Sequence, residues 1–163
     1  MNQLHELFLE ELGDLYSAEN RLIKALPKMA KAAQAQELKD AFAAHLGETE
    51  NHVERIKQVF QIFDKPARGR KCKGMEGLIA EAKEVISDNK NSSGLDAALI
   101  CAAQKVEHYE IAAYGCLRTW ARLIDNPAAV DLLNQTLTEE EAADEKLNQI
   151  AERSNQTAVE AMA

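Results

Sequence analysis

The feature of this sequence that most restricts its fold is an apolar stripe that occurs twice. Leu15, Glu19, Leu22 and Leu26 recur as Val106, Glu110, Ala113 and Leu117, each 91 residues further on. The same offset carries Phe42, Leu46, Thr49, Val53 and Ile56 onto Leu133, Leu137, Glu140, Asp144 and Leu147. Spacings of three and four residues put each set on one face of an α-helix. The pattern therefore predicts four amphipathic helices, arranged as two related hairpins.

Breakers set the expected boundaries. A first helix over Asn2–Ala33 carries Phe8, Leu12 and Met29 on the same face, with a kink expected at Pro27 because proline removes a backbone donor. A second runs over Glu37–Phe63 and ends at "DKPARG". The connection 64–93 is too long for a plain turn and contains a short amphipathic helix, "MEGLIAEAKEVI". A third long helix covers Leu95–Ile124. "DNP" then stops and restarts the chain, with Asp125 or Asn126 as cap and Pro127 in the first turn. The fourth runs to Arg153, so residues 1–153 form one helical domain and 154–163 a frayed C-terminal tail. Glycine (7) and proline (3) are too scarce for a turn-rich β protein. Two short-looped hairpins joined by one long crossover predict an all-α, ferritin-like up-down four-helix bundle with a short fifth helix in the crossover. A generic helical bundle has the same periodicity.

Charge and composition exclude several classes of function. A formal net charge of −8 argues against a nucleic-acid-binding face, and the one basic run, "KPARGRKCKG", reads as a solvated loop. No stretch approaches the roughly 18 apolar residues of a membrane span. "MNQLHELFLEEL" is too acidic for a signal peptide. Cys72, Cys101 and Cys116 lack metal-ligand spacing and read as reduced thiols, so a cytoplasmic protein is expected. There is no nucleophilic triad and no phosphate-cradling glycine loop.

Glu19, Glu110 and Glu140 occupy positions on the stripes where leucine would be expected. A buried carboxylate without a partner costs several kcal/mol, and a cluster of them repels, so protons, basic partners or metal must neutralise it. No Lys or Arg accompanies them on the stripes. Carboxylate oxygens suit Fe and Mn, and His52, flanking the second stripe at the same level, adds a nitrogen donor. The simplest function-free reading is a proton-sharing or hydrated carboxylate cluster.

The segments "LYSAENRLIKALPKMAKAA", "AHLGETENHVERI", "MEGLIAEAKEVI", "DAALICAAQKVEHYEIAAYG" and "LTEEEAADEKL" span nearly the whole chain. In them the sequence resembles the ferritin-like superfamily and, more closely, the YciF-type bacterial stress proteins. The resemblance implies a compact five-helix fold, a cytoplasmic homodimer and a link to stress responses, with no assigned reaction. The superfamily's two-metal site takes one Glu from each of two helices and Glu-x-x-His from each of the other two. On that pattern Glu19 and Glu110 match the single glutamates, with Glu107 one turn away as an extra ligand. His52 matches one histidine, but its partner position holds Thr49. Glu140 matches the other motif glutamate, but its histidine position holds Ala143. Glu48 with His52, Glu140 with Asp144, and Glu141 with Asp144 are the nearby substitutes. His45 is expected at a solvent-facing or interface position, His5 and His108 at the surface, and Tyr109 and Tyr114 as packing residues.

The leading expectation is a di-iron or di-manganese carboxylate protein of the stress response, acting on iron, oxygen or peroxide. Its rival is a non-catalytic dimeric helical stress protein with a degenerate, metal-free carboxylate cluster, favoured by Thr49 and Ala143. Iron storage is a third reading, and it requires a hollow oligomer.

Overall fold

The computed structural model describes residues 3–161, and among these there are five α-helices and no strand. α1 (Gln3–Ala32) and α2 (Gln36–Ile62) form one hairpin; α4 (Leu95–Leu123) and α5 (Pro127–Glu160) form the other. α3 (Lys73–Asp88) lies in the crossover. Asn2, the expected start of the first helix, lies outside the described residues.

The backbone amides of Gln34 and Ala35, in the first hairpin turn, each donate to the Asp96 carboxylate at 2.7 Å. That contact places the start of α4 beside the start of α2, so the two run parallel and the crossover traverses the length of the bundle. α2 packs on α5 and α1 on α4, which closes the ring of four, while α3 covers the groove between α1 and α4. This is the single-crossover bundle that the repeat predicts.

Local chemistry explains the boundaries. The Asn126 side chain accepts from the Ala129 amide at 3.0 Å, with Pro127 following it at the start of α5. Asp125 has a left-handed backbone, φ 56°, and the amides of Asp125 and Asn126 return to the carbonyls of Arg122 and Ala121. Asp64, φ 53°, closes α2 in the same way, its amide and that of Lys65 returning to Gln61 and Phe60. These are paired C-terminal caps of the kind usually built on glycine. α1 passes through Pro27 without ending.

One boundary differs from expectation. α5 continues from Arg153 to Glu160, so residues 154–160 are helix and not frayed tail. "SNQTAVE" contains no breaker, and Ser154 is buried, which ties this turn to the bundle. The core runs through the whole ring, from Phe8 and Leu12 near one end to Leu38 and Leu99 near the other.

Candidate metal centre

At mid-height the apolar core of the described residues is interrupted by six buried carboxylate and imidazole side chains. They are Glu19 of α1, His45 and His52 of α2, Glu107 and Glu110 of α4, and Glu140 of α5. Helical spacing accounts for this convergence. Phe42, His45, Thr49, His52 and Ile56 alternate steps of three and four, so both histidines face inward two turns apart. Glu107 and Glu110 are likewise one turn apart on α4.

The six form two groups that share Glu140. His45, Glu107, Glu110 and Glu140 each present one donor atom, all within 4.8 Å of one another, and Glu19, His52 and Glu140 do the same. His45 Nε2 lies 3.2 Å from Glu107 and 3.6 Å from Glu140. His52 Nδ1 lies 3.0 Å from Glu140 and 3.4 Å from Glu19. Despite this proximity, neither nitrogen has an aligned hydrogen-bond partner among the described residues. Both oxygens of Glu110, both of Glu140 and one each of Glu19 and Glu107 are also buried without one. Buried polar atoms normally find partners, so such a concentration facing one space is unusual.

The other ring nitrogens are engaged. His45 Nδ1 meets Glu48 at 3.0 Å, and His52 Nε2 meets Glu139 at 2.8 Å. Arg55 grips Glu139 through both terminal nitrogens, at 2.6 and 2.8 Å. Glu48 and Glu139 stand at the 91-residue offset, so the repeat extends to the carboxylates that orient the imidazoles. Holding the outer nitrogen with a carboxylate fixes the ring and points the inner nitrogen at the cluster, as around metal-ligating histidines. The Tyr114 hydroxyl, fully buried, donates to Glu19 Oε1. The Thr49 hydroxyl turns back to the His45 carbonyl at 2.8 Å.

Electrostatics follow from burial and proximity. Burial, with Glu140, Glu19 and Glu107 adding to it, drives the Glu110 carboxyl well above the ordinary carboxylate range. Burial lifts Glu140 to about 8, His52 opposing and Glu19 and Glu107 reinforcing. Burial alone would push His52 down, but Glu140 and Glu19 outweigh it and raise it to about 10. His45 is likewise raised against its burial by Glu107 and Glu48.

The remaining expected ligands lie elsewhere. Glu48 is half-exposed and reaches the cluster only through His45. Glu141 is exposed. Asp144 is turned outward to His108, at 3.2 Å, and to Gln104, and belongs to neither group. Residue 141 lies about 100° around α5 from Glu140, so it faces solvent when Glu140 faces the core. His45 sits inside the cluster and not at a solvent-facing edge, and Glu139 and Arg55 join it unforeseen. His45's spacing of seven from His52 was the available signal. Ala143, where the offset would put a histidine, lines a cavity of about 550 Å³ that leads from the surface to His45 and Glu107 between apolar walls that include Leu22, Val106 and Leu147.

The family model described as Domain of unknown function (DUF892) matches residues 3–160. The chain belongs to this YciF-type family. It is 47% identical to Protein YciF of Escherichia coli (strain K12) over 152 residues, 93% of this chain and 92% of that one. The crystal structure of the Escherichia coli stress protein YciF matches with a TM-score of 0.91 at 46% identity, covering 96% of this chain and 99% of that one. YcfI of Rhodopseudomonas palustris, to which a structural role has been ascribed, matches at 0.86 and 41% identity, over 90% and 94%. A protein of Xanthomonas campestris pv. campestris, at 18% identity and 0.78 over 99% of each chain, shares the fold of the DUF892 chain.

Proposed function

We propose that this chain is a stress-response protein whose bundle core holds two Fe or Mn ions and uses them for redox chemistry on iron, oxygen or peroxide. The observation that carries this reading is the set of inward-facing, unpartnered oxygens and nitrogens on Glu19, His45, His52, Glu107, Glu110 and Glu140. The donor chemistry fits: oxygen-rich, with one imidazole for each group. Charge fits as well, since two divalent cations cancel four carboxylates while both histidines are neutral. Glu140 is common to both groups; with it, His45, Glu107 and Glu110 would hold one ion and His52 and Glu19 the other. Resident iron or manganese would supply the one-electron steps that the side chains cannot. Glu48 and Glu139 hold the imidazoles in the ligating orientation. Tyr114 keeps a hydroxyl proton at Glu19 Oε1, next to the reacting space. The largely apolar cavity beside His45, with Glu37, Asp40, Glu48 and Lys146 also on its lining, gives small molecules a route to the cluster. The stress role rests on kinship with the Escherichia coli stress protein. A cytoplasmic homodimer is the accompanying expectation; no helix of the described residues is long and apolar enough to cross a membrane.

The second reading, a structural protein with a metal-free cluster, is favoured by a specific observation. With both histidines charged and Glu110 and Glu140 protonated, the same six groups are neutral without metal, as their displaced pKa values allow. Metal content of protein purified without chelators, compared with Glu19→Ala and Glu110→Ala, separates the two. Near-stoichiometric Fe or Mn, lost in both variants, supports the metal centre. Protein that stays metal-free in excess Fe(II) or Mn(II), with an unchanged melting temperature, supports the structural role. A dimer by light scattering excludes a storage cage.

A further inference from the structure

The opposite side of α1 carries a second concavity of quite different character. α1, the start of the crossover and α3 line an open groove of about 690 Å³. Six cations line it: Arg21, Lys24 and Lys28 from α1, Arg70 and Lys71 from the crossover, and Lys83 from α3. None of its lining residues is acidic, in a chain with 27 acidic residues against 19 Lys and Arg. Arg70 and Lys71 also reach Glu10 and Glu76, at 2.9 and 3.2 Å. Arg21, Lys24, Lys28 and Lys83 have no carboxylate within ion-pair distance among the described residues. Lys24 and Lys28 are spaced i,i+4, a like-charge arrangement that weakens a helix. Such repulsion is needless for solubility at a net charge of −8, and an anionic occupant would relieve it.

The crossover side of the groove is tied to α1. The basic run is an exposed loop, as its composition predicts, and the Arg70 amide ties it to α1 by donating to the Gly13 carbonyl at 3.0 Å. A side-chain carbon at Gly69 would make ordinary van der Waals contact with Ser17 and the Tyr16 ring, at 3.6 Å, so the crossover runs close beside α1 here. Ser17 and Asn20 add polar groups to the lining between the cations.

We propose that this groove binds a small di- or triphosphate anion, either inorganic or the phosphate chain of a nucleotide. Three cations from one helix and three from the facing crossover and α3 match the distributed charge of a phosphate chain, which lysines recognise as point charges and arginines in bidentate fashion. A long nucleic acid fits less well, because beyond the groove it would meet a surface dominated by carboxylates. None of its lining residues belongs to either buried donor group.

Calorimetric titration of the full chain in metal-free buffer, at about 50 mM salt to limit screening, tests this with tripolyphosphate, with ATP and with a single-stranded oligonucleotide. Arg21→Gln/Lys24→Gln/Lys28→Gln is compared with Lys39→Gln/Lys90→Gln/Lys105→Gln, which removes the same charge elsewhere. One-to-one binding of tripolyphosphate and ATP is expected, weakened at least about tenfold by the first triple variant and little by the second. Tighter binding of ATP than tripolyphosphate assigns the source to nucleotides, and equal binding to the phosphate chain alone. Circular dichroism confirms that both variants fold. No binding of either phosphate, equal losses in the two variants, or oligonucleotide binding that tripolyphosphate does not displace would each overturn the proposal.

Discussion

Replacing Glu110 by Met is expected to stabilise the metal-free protein and to abolish its response to metal. The Glu110 side chain is fully buried, and both carboxyl oxygens lack a partner. A buried polar group left unsatisfied costs about 1–3 kcal/mol. Methionine has the same unbranched reach and a similar helix propensity, and it fills the site with apolar surface. Exchanging buried ionisable groups for well-packed apolar ones gains about 1–4 kcal/mol in other proteins. After some repacking strain, a net gain of about 2 kcal/mol is reasonable. For a chain of this length that corresponds to a melting-temperature rise of about 4–8 °C. The assay is thermal unfolding by circular dichroism in chelator, and again with Mn(II) or anaerobic Fe(II). A bound metal at a hundredfold its dissociation constant would stabilise the parent by about 2.7 kcal/mol, a gain the variant should lack. Either a comparable fall in the variant's melting temperature in chelator or an undiminished metal response would refute the reasoning.

Metal-free stability should decline as pH rises from about 5 to 8. Between the ordinary value of 4.5 and about 8, folded Glu140 holds a proton that the unfolded chain has released, so the slope is negative, up to about 1.4 kcal/mol per pH unit. His52, raised to about 10, extends the same sign above 6.5. Urea unfolding at several pH values checks this, and a flat or rising profile contradicts it. Glu139→Gln should weaken metal affinity about 10–100-fold by loosening His52, while metal-free stability changes by less than about 1 kcal/mol because the Arg55 pair is partly exposed. Equilibrium dialysis and melting curves read the two effects separately. Gly74→Ala should cost about 1–3 kcal/mol, since its new carbon would sit 2.6 Å from the Tyr109 ring. Moving that ring breaks the hydroxyl's bonds to Asp14 and Cys72, at 2.9 and 3.1 Å. Chemical denaturation of the variant gives the value directly.

The hairpins, the crossover and the helix starts were legible because their signals are local: period, proline and capping residues act within one turn. Glu19, Glu110 and Glu140 were legible because an acid on an apolar stripe breaks a pattern. His45 was not, because a stripe drawn through Leu46 and Val53 places their neighbours His45 and His52 at its edge. In the bundle, both the histidines and Val53 lie inside, since a helix contacted on two sides buries a broad face. Asp144 lies outside both groups for the converse reason: its position on the aligned stripe faces His108 and Gln104 at the rim of the α4–α5 contact. Glu139 acts across 87 residues of sequence on His52, a pairing that no spacing rule encodes. The extra turns of α5 are hidden by polar composition, although nothing in "SNQTAVE" ends a helix.

The division of donors between the hairpins has its own consequence for assembly. The first supplies Glu19, His45 and His52; the second supplies Glu107, Glu110 and Glu140. Separated, one half carries both nitrogens with a lone acid, and the other three mutually repelling acids. Neither is electrically self-sufficient, so docking brings the complementary charges together and resists the pairing of two identical halves. The polar layer thus acts as a key that makes the right partner recognisable before any ion arrives.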